Sequence, residues 1–226
     1  MENNLKGINI EFYGIPGCGK SVISHKLAQI LKKEGFQVFE PTYNIVHEKS
    51  AFYRKIWKIF ASLKLIFINY KSVTSIKSIL RNNNLKFKNY VSQVINILPK
   101  VNIYLNQKSY INIWDEGLVQ SSISLSNAKS SKENFYNIKE NLENIKIIAI
   151  YVNVDFNIAI DRMKNRKIHG SRIEKEDDYA KKIEMLNDFK LKCDSIENKI
   201  LIKVDSTSDS PEIIANHIMN CIREEL

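Results

Sequence analysis

Glycines followed by a lysine and a serine, close to the N-terminus, are spaced for binding phosphate. The pattern is Gly-x-x-x-x-Gly-Lys-Ser, whose glycines let successive backbone N–H groups point at phosphate oxygens. Lys20 can then reach the β- and γ-phosphates of a nucleotide, and the Ser21 hydroxyl can bind Mg²⁺. We therefore expect ATP and Mg²⁺ as cofactors. The residues predicted to bind the nucleotide here are Gly14, Ile15, Pro16, Gly17, Cys18, Gly19, Lys20, Ser21 and Val22.

Two acids follow the apolar segment Tyr110–Trp114, which is predicted to be the third strand of the chain. An acid at the end of a strand beside a phosphate-binding loop is the expected partner for Mg²⁺, directly or through water. Asp115 is therefore predicted to bind the metal together with Ser21. Glu116 is predicted to act in catalysis, either on an acceptor hydroxyl or on a water molecule.

Three arginines surround a short segment that contains a glycine. Arg162 and Arg166 are spaced i,i+4 and share a helix face, and Arg172 follows Gly170. This arrangement predicts a lid over residues 162–176, whose arginines neutralise charge on a transferring phosphoryl group. The alternative is an exposed helix whose arginines pair with neighbouring acids. Those acids are Asp161, Glu174 and Glu176.

The elements that must position these residues alternate between strand and helix patterns. An apolar run beginning at Ile8 leads into the glycines, and a helical pattern follows them. Phe36–Glu40 then reads as a second strand, so the return is short and a right-handed parallel crossover is expected. Glu40 consequently falls at the carboxyl end of its strand, which is the edge where α/β sheets bind ligands.

Two further apolar runs, Ile147–Val152 and Lys199–Val204, predict two more parallel strands. Asp155 and Ser210 are predicted to cap the helices that follow them. The predicted fold class is α/β. It is a three-layer P-loop NTPase fold, with a parallel sheet of about five strands flanked by helices. We expect residues 1–226 to form a single domain.

A long helical insertion is predicted at 45–108, between the second and third strands. Its helix at 52–67 is basic and amphipathic, and the width of the apolar stripe favours a core-facing helix over a membrane-surface helix. Pro99 is expected to kink or end a later helix. The insertion could bind the acceptor substrate or form a homodimer face.

Composition and charge limit the classes of partner and the cellular location that we expect. The formal net charge is +9, but lysines are spread along the 226 residues and interleaved with acids, so no nucleic-acid partner is predicted. Lysines interrupt the most apolar stretch, 51–70, so no stable membrane insertion is expected. Three scattered cysteines and a polar N-terminus favour a cytoplasmic location.

The loop is more specific than the general pattern, because it reads Gly-x-x-Gly-x-Gly-Lys-Ser. It resembles that of the small-molecule P-loop kinases, and most closely the thymidylate kinase and deoxynucleoside kinase group. Four other short motifs carry the resemblance: Glu40-Pro41, Asp115, the pair Arg162 and Arg166, and the segment 204–207. The resemblance implies that Glu40 acts as base on an acceptor hydroxyl. It also implies an adenine-contacting loop formed by Asp205, Ser206 and Thr207.

The sequence departs from that group at two places. Glu116 stands where the group has an arginine, and Thr42-Tyr43-Asn44 replaces a Gly-Gly-Thr. The resemblance therefore implies ATP-dependent phosphoryl transfer to a small acceptor, a nucleoside or nucleotide, with a sugar-like metabolite as the alternative acceptor.

Two other classes of function remain open. In a regulatory ATPase or switch, Asp115-Glu116 would form a Walker B motif with a water-activating glutamate. A degenerate, binding-only protein is disfavoured by the intact Lys20, Ser21 and Asp115. A GTPase is disfavoured because the sequence has no Asn-Lys-x-Asp motif.

Overall fold

The computed structural model describes residues 7–43, 60, 87–105, 111–125, 146–166, 173–196 and 200–226. Its strands are β1 (Ile8–Tyr13), β2 (Val38–Phe39), β3 (Ile111–Trp114), β4 (Lys146–Asn153) and β5 (Ile200–Asp205). Its helices are α1 (Lys20–Lys33), α2 (Phe87–Leu105), α3 (Leu118–Leu125), α4 (Phe156–Lys164), α5 (Tyr179–Asp194) and α6 (Pro211–Ile222). A 3-10 turn (Arg223–Glu225) follows α6.

The five strands form one sheet in the order β2-β3-β1-β4-β5, and every pairing is parallel. Strand β1, which leads into the phosphate-binding loop, lies in the centre between β3 and β4. The carboxyl ends of all five strands therefore meet at one edge. The predicted α/β fold with a five-stranded parallel sheet flanked by helices is confirmed.

Both faces of β1 are buried, as expected for the central strand of a parallel sheet. Ile10 and Phe12 pack in the cluster that contains the apolar face of α1 and residues of α6. The alternate residues Asn9, Glu11 and Tyr13 are also 0 % exposed. Helix α1 ends where Gly35 adopts φ 91°. There the N–H of Phe36 donates to Leu31 O at 3.1 Å, which closes the last turn.

The structure corrects one helix boundary. Helix α2 continues through Pro99 to Leu105, so of the two outcomes predicted for Pro99, a kink or a helix end, the helix end is wrong. Proline removes one backbone donor, but Ile97 and Leu98 before it and Val101 after it are each 1 % exposed. Burial on both sides of the proline thus favours a continuous helix.

Both predicted caps are confirmed. Asp155 accepts hydrogen bonds from the N–H groups of Asn157 and Ile158, and Ser210 accepts one from Ile213 N. Of the insertion predicted at 45–108, residue 60 and helix α2 lie within the described part of the chain. The basic helix predicted at 52–67 otherwise lies outside it. None of the described helices is long and apolar enough to span a bilayer.

Candidate active site

The phosphate-binding loop joins the carboxyl end of β1 to the N-terminus of α1. Gly17 and Gly19 have φ values of 85° and 84°, a region that side chains with a Cβ rarely adopt. Gly17 also lies directly against the backbone of Ala159 in α4, where a Cβ would overlap the carbonyl oxygen. The loop therefore packs tightly and ends at a helix N-terminus, which favours anion binding.

Lys20 is the first residue of α1 and is 7 % exposed. Burial lowers the pKa of its ammonium group, but the Cys18 thiol and the carboxylates of Glu116 and Asp115 raise it by more, so the net pKa is raised. Lys20 therefore remains charged at neutral pH. The fold thus brings together the lysine and the two acids that the sequence placed about 95 residues apart.

Asp115 and Ser21 provide oxygen ligands of the kind that Mg²⁺ prefers. Asp115 follows β3, which pairs directly with β1. Its Oδ1 atom is buried and has no hydrogen-bond partner among the described residues, as expected for an oxygen that a metal or its water would satisfy. The residues present therefore fit the ion. Within the described ranges, no group of three or more His, Cys, Asp or Glu residues forms another metal site.

A pocket of about 240 Å³ opens beside the loop. Its walls come from the loop and α1, from α4, and from the segment after β5. The lining residues are Gly17, Gly19, Val22, Ile23, Arg162, Arg166, Ser206, Asp209, Pro211 and Ile214. Sequence reasoning identified the loop glycines, Val22, both arginines and Ser206. It missed Ile23, Asp209, Pro211 and Ile214 as pocket residues, although the position of Asp209, four residues after the end of β5, was a usable signal.

Arg162 connects the two sides of this pocket. Its Nη1 and Nη2 atoms donate to Ser206 Oγ (3.2 Å) and Ser206 O (2.8 Å), and Ser206 Oγ donates to Cys18 O at 2.7 Å. Asp205 and Thr207 do not line the pocket. Asp205 instead accepts hydrogen bonds from Thr207 N and Asn153 Nδ2. Among the three residues predicted to contact adenine, Ser206 is the one that lines the pocket.

Arg166 lies two residues past the end of α4, so the prediction that it shares a helix face with Arg162 is wrong; it lines the pocket and also pairs with an acid from a later segment. Its Nη1 atom lies 2.8 Å from Glu174 Oε1, and the Glu174 side chain is 2 % exposed. Glu174 is one of the acids considered as a surface partner, but here it is buried. Arg172 and the central part of the predicted lid lie outside the described residues.

The two candidate bases occupy different surroundings. Glu40 is 3 % exposed, and its Oε2 and Oε1 atoms lie 2.7 Å from His25 Nδ1 and 2.6 Å from Lys32 Nζ. Both partners belong to α1, so the Glu40 carboxylate is held against that helix. Glu116 is exposed, and its charge acts on Lys20.

Comparison with known proteins supports the fold. No protein-family model and no curated protein sequence matches the chain. Among solved structures, thymidylate kinase from Candida albicans is similar over 97% of this chain and 92% of its own, with a TM-score of 0.52 and 12% identity. Shikimate kinase from Acinetobacter baumannii, in complex with shikimate, is similar over 98% and 96%, with a TM-score of 0.50 and 14% identity. The chain therefore has the fold of the P-loop small-molecule kinases, to which its similarity is distant.

Proposed function

We propose that this protein transfers the γ-phosphoryl group of ATP to a small acceptor, a nucleoside or a nucleotide. The observation that carries the proposal is the position of charged Lys20. It lies at the start of α1, under the influence of Asp115 and Glu116, while Arg162 and Arg166 line the adjoining pocket. This combination suits phosphoryl transfer, in which the protein supplies positioning and charge stabilisation.

Each group then has a role in the reaction. The N–H groups of the loop and Lys20 hold the β- and γ-phosphates, and the pocket between Arg162 and Pro211 takes the nucleobase. Mg²⁺, held by Ser21 and Asp115, would neutralise phosphate charge. Arg166 stabilises the additional charge on the transferring group, while Arg162 holds the wall of the nucleobase pocket through Ser206.

Glu116 is the better placed of the two candidate bases. The acceptor oxygen forms a new bond to the γ-phosphorus as the bond to the β–γ bridging oxygen breaks, and Glu116 takes the acceptor proton. ADP leaves with the bridging oxygen. Glu40 would have to release His25 and Lys32 before it could accept a proton in the same way.

The proposal is tested by measuring ADP release from Mg·ATP with separate pools of nucleosides, nucleoside monophosphates, sugars and sugar phosphates. Release that depends on a nucleoside or nucleotide pool supports the proposal, and dividing the pool identifies the acceptor. Release that depends on the sugar pool would show that the acceptor is sugar-like and would leave the proposed phosphoryl transfer unchanged.

A P-loop ATPase or regulatory switch is the second candidate, and the exposure of Glu116 beside the site is the observation that favours it. An exposed carboxylate there could orient water in place of an acceptor hydroxyl. This function predicts ADP release that is the same in every pool and that is lost in Glu116→Gln. Bound ATP without any release would indicate a binding-only protein.

A further inference from the structure

A side chain from α3 binds the first peptide of the phosphate-binding loop. Gln120 is 7 % exposed, and its Oε1 atom accepts a hydrogen bond from Gly14 N at 3.0 Å. Its Nε2 atom donates to Gly14 O at 3.3 Å. One amide thus satisfies both backbone polar groups of Gly14, which would otherwise be buried without partners. The two residues are 106 positions apart in the sequence.

A second contact also joins β1 and its loop to the segment that follows β3, but here the side chain comes from β1. Residues 115–117, here called the acidic turn, lie between β3 and α3. Glu11 in β1 accepts a hydrogen bond from Val119 N at 2.8 Å, at the start of α3. Its carboxylate also lies so close to Gly117 that a Cβ at that position would overlap it. The glycine of Asp-Glu-Gly therefore makes room for Glu11.

Helix α2 adds a third contact to the acidic turn. Lys100 Nζ donates to Gly117 O at 3.3 Å and to Ser121 Oγ at 2.8 Å. The turn is thus held from β1 and from α2, while α3 in turn holds the loop through Gln120.

Strand pairing alone does not set the position of the acidic turn relative to the loop. The register between β1 and β3 runs to the pair Glu11 and Trp114 and stops there. Gly14 and Asp115 both lie beyond it. Among the described residues, the hydrogen bonds of Glu11 and Gln120 connect the two regions where the strand register stops.

We propose that Gln120 and Glu11 are positioning residues that align the acidic turn with the phosphate-binding loop, and hence Asp115 with Lys20 and Ser21. The inference rests on the proposed function in one respect: the loop and Asp115 must act on the same Mg·nucleotide. Neither side chain contacts the reacting atoms. Their effect on the nucleotide is transmitted through Gly14 and through the start of α3.

A double-mutant cycle tests this inference, with Mg·ATP affinity measured by calorimetry. Gln120→Met removes both hydrogen bonds to Gly14 and keeps a similar volume. In the presence of Asp115 we expect it to weaken binding about tenfold, on the scale of one or two lost hydrogen bonds. In the Asp115→Asn background we expect a loss of about twofold or less, because residues that act through each other are not additive.

The control is Lys33→Ala, an exposed position near the far end of α1, which should bind Mg·ATP like the wild type in both backgrounds. If Gln120→Met weakens binding by the same factor in both backgrounds, or not at all, Gln120 only packs the interior and the inference is wrong. If Gln120→Met does not fold, the same cycle with Gln120→Asn decides. That variant keeps a neutral amide but is one methylene shorter, so it weakens the hydrogen bonds to Gly14 without adding a buried charge.

The cycle needs no acceptor, so its result is independent of the kinase assay. Coupling between Gln120 and Asp115 without acceptor-dependent ADP release would retain the positioning role and refute the kinase. Acceptor-dependent release without coupling would support the kinase and refute the positioning role of Gln120.

Discussion

The Nζ atom of Lys32 lies 2.6 Å from Oε1 of Glu40, and the Glu40 side chain is almost fully buried. His25, seven residues earlier on the same face of α1, contacts the other carboxylate oxygen and stacks on Tyr43 at 4.0 Å between ring centroids. Glu40 therefore connects the end of β2 to α1. This ion pair distinguishes the two candidate bases, because Glu116 has no comparable burial.

Substituting the two glutamates should give different losses. Glu116→Gln removes the proton acceptor beside Lys20, and we expect kcat to fall about a hundredfold. Glu40→Gln removes the carboxylate that pairs with Lys32 and contacts His25. We expect it to lower the free energy of unfolding by about 1–2 kcal/mol, since both partners are partly exposed, and to change kcat little.

Steady-state kinetics and chemical denaturation of both variants check this prediction, with the exposed Glu34→Gln as control. A kcat loss confined to Glu40→Gln would reverse the assignment. Near wild-type kcat in both variants would show that neither residue is the base.

Lys20→Ala should reduce turnover by at least about a hundredfold, on the scale seen when one preorganised charge-stabilising donor is removed. The raised pKa of Lys20 keeps the wild-type ammonium charged in the presence of Asp115 and Glu116, and alanine leaves these acids uncompensated. ADP release measures the effect. Lys33→Ala is the control, because it is exposed and lies about 20 Å further along α1. Full activity in Lys20→Ala would refute the assignment of this loop.

Arg162→Ala should raise the KM for ATP about tenfold, because it removes two hydrogen bonds to Ser206 and one wall of the pocket. Ser206→Ala keeps the arginine but loses the hydrogen bond to Cys18 O, so a smaller rise of about threefold is expected. Lys164→Ala, on the exposed side of α4, is the control. An unchanged KM in both Arg162→Ala and Ser206→Ala would mean that ATP binds elsewhere.

Glu11→Gln should stabilise the protein at neutral pH but not in acid. Burial raises the pKa of Glu11 above its usual value of 4.5, so the folded state binds this proton more tightly than the unfolded state. The wild type therefore loses stability as the pH rises from 4.5 through the raised pKa. Glutamine does not titrate and still offers an oxygen to Val119 N, so its advantage grows over that range and then levels off.

Denaturation of Glu11→Gln and wild type between acid and neutral pH measures this difference. Glu212→Gln is a control of opposite sign, because the hydrogen bond from Lys26 lowers the pKa of Glu212. The stability that this pair contributes to the wild type is present above the unfolded pKa and is lost in acid, so Glu212→Gln should become less stable than the wild type as the pH rises. A difference for Glu11→Gln that is flat across the range would show that Glu11 titrates alike in both states.

Local patterns were enough to predict the scaffold of the site. The strand, the glycine loop and the helix that follows span 8–33, and each depends on residues a few positions apart. Asp115 was found in the same way, since it stands directly after a strand, whereas the role of Ser206 came from the family resemblance. Periodicity and turn chemistry act over such distances, and parallel strands bring their carboxyl ends together.

The contacts that adjust the site were not predictable, because they join distant residues. Glu11 binds Val119 across 108 positions, and no local pattern reports its partner. A glutamate inside a mostly apolar strand was nevertheless a signal of a buried polar contact. The orientation of the Glu40 carboxylate could not be predicted for a related reason. It depends on contacts with Lys32 and His25, which the fold brings close to the end of β2.

The central claim is that phosphate passes from ATP to a small organic acceptor. It is tested most directly by incubating the protein with ATP labelled at the γ-phosphate, Mg²⁺ and the nucleoside and nucleotide pools, and then separating the products. We predict that the label appears in an organic phosphate, and that Lys20→Ala abolishes its formation. Label found entirely in inorganic phosphate, at a rate that no acceptor changes, would contradict the claim and identify an ATPase.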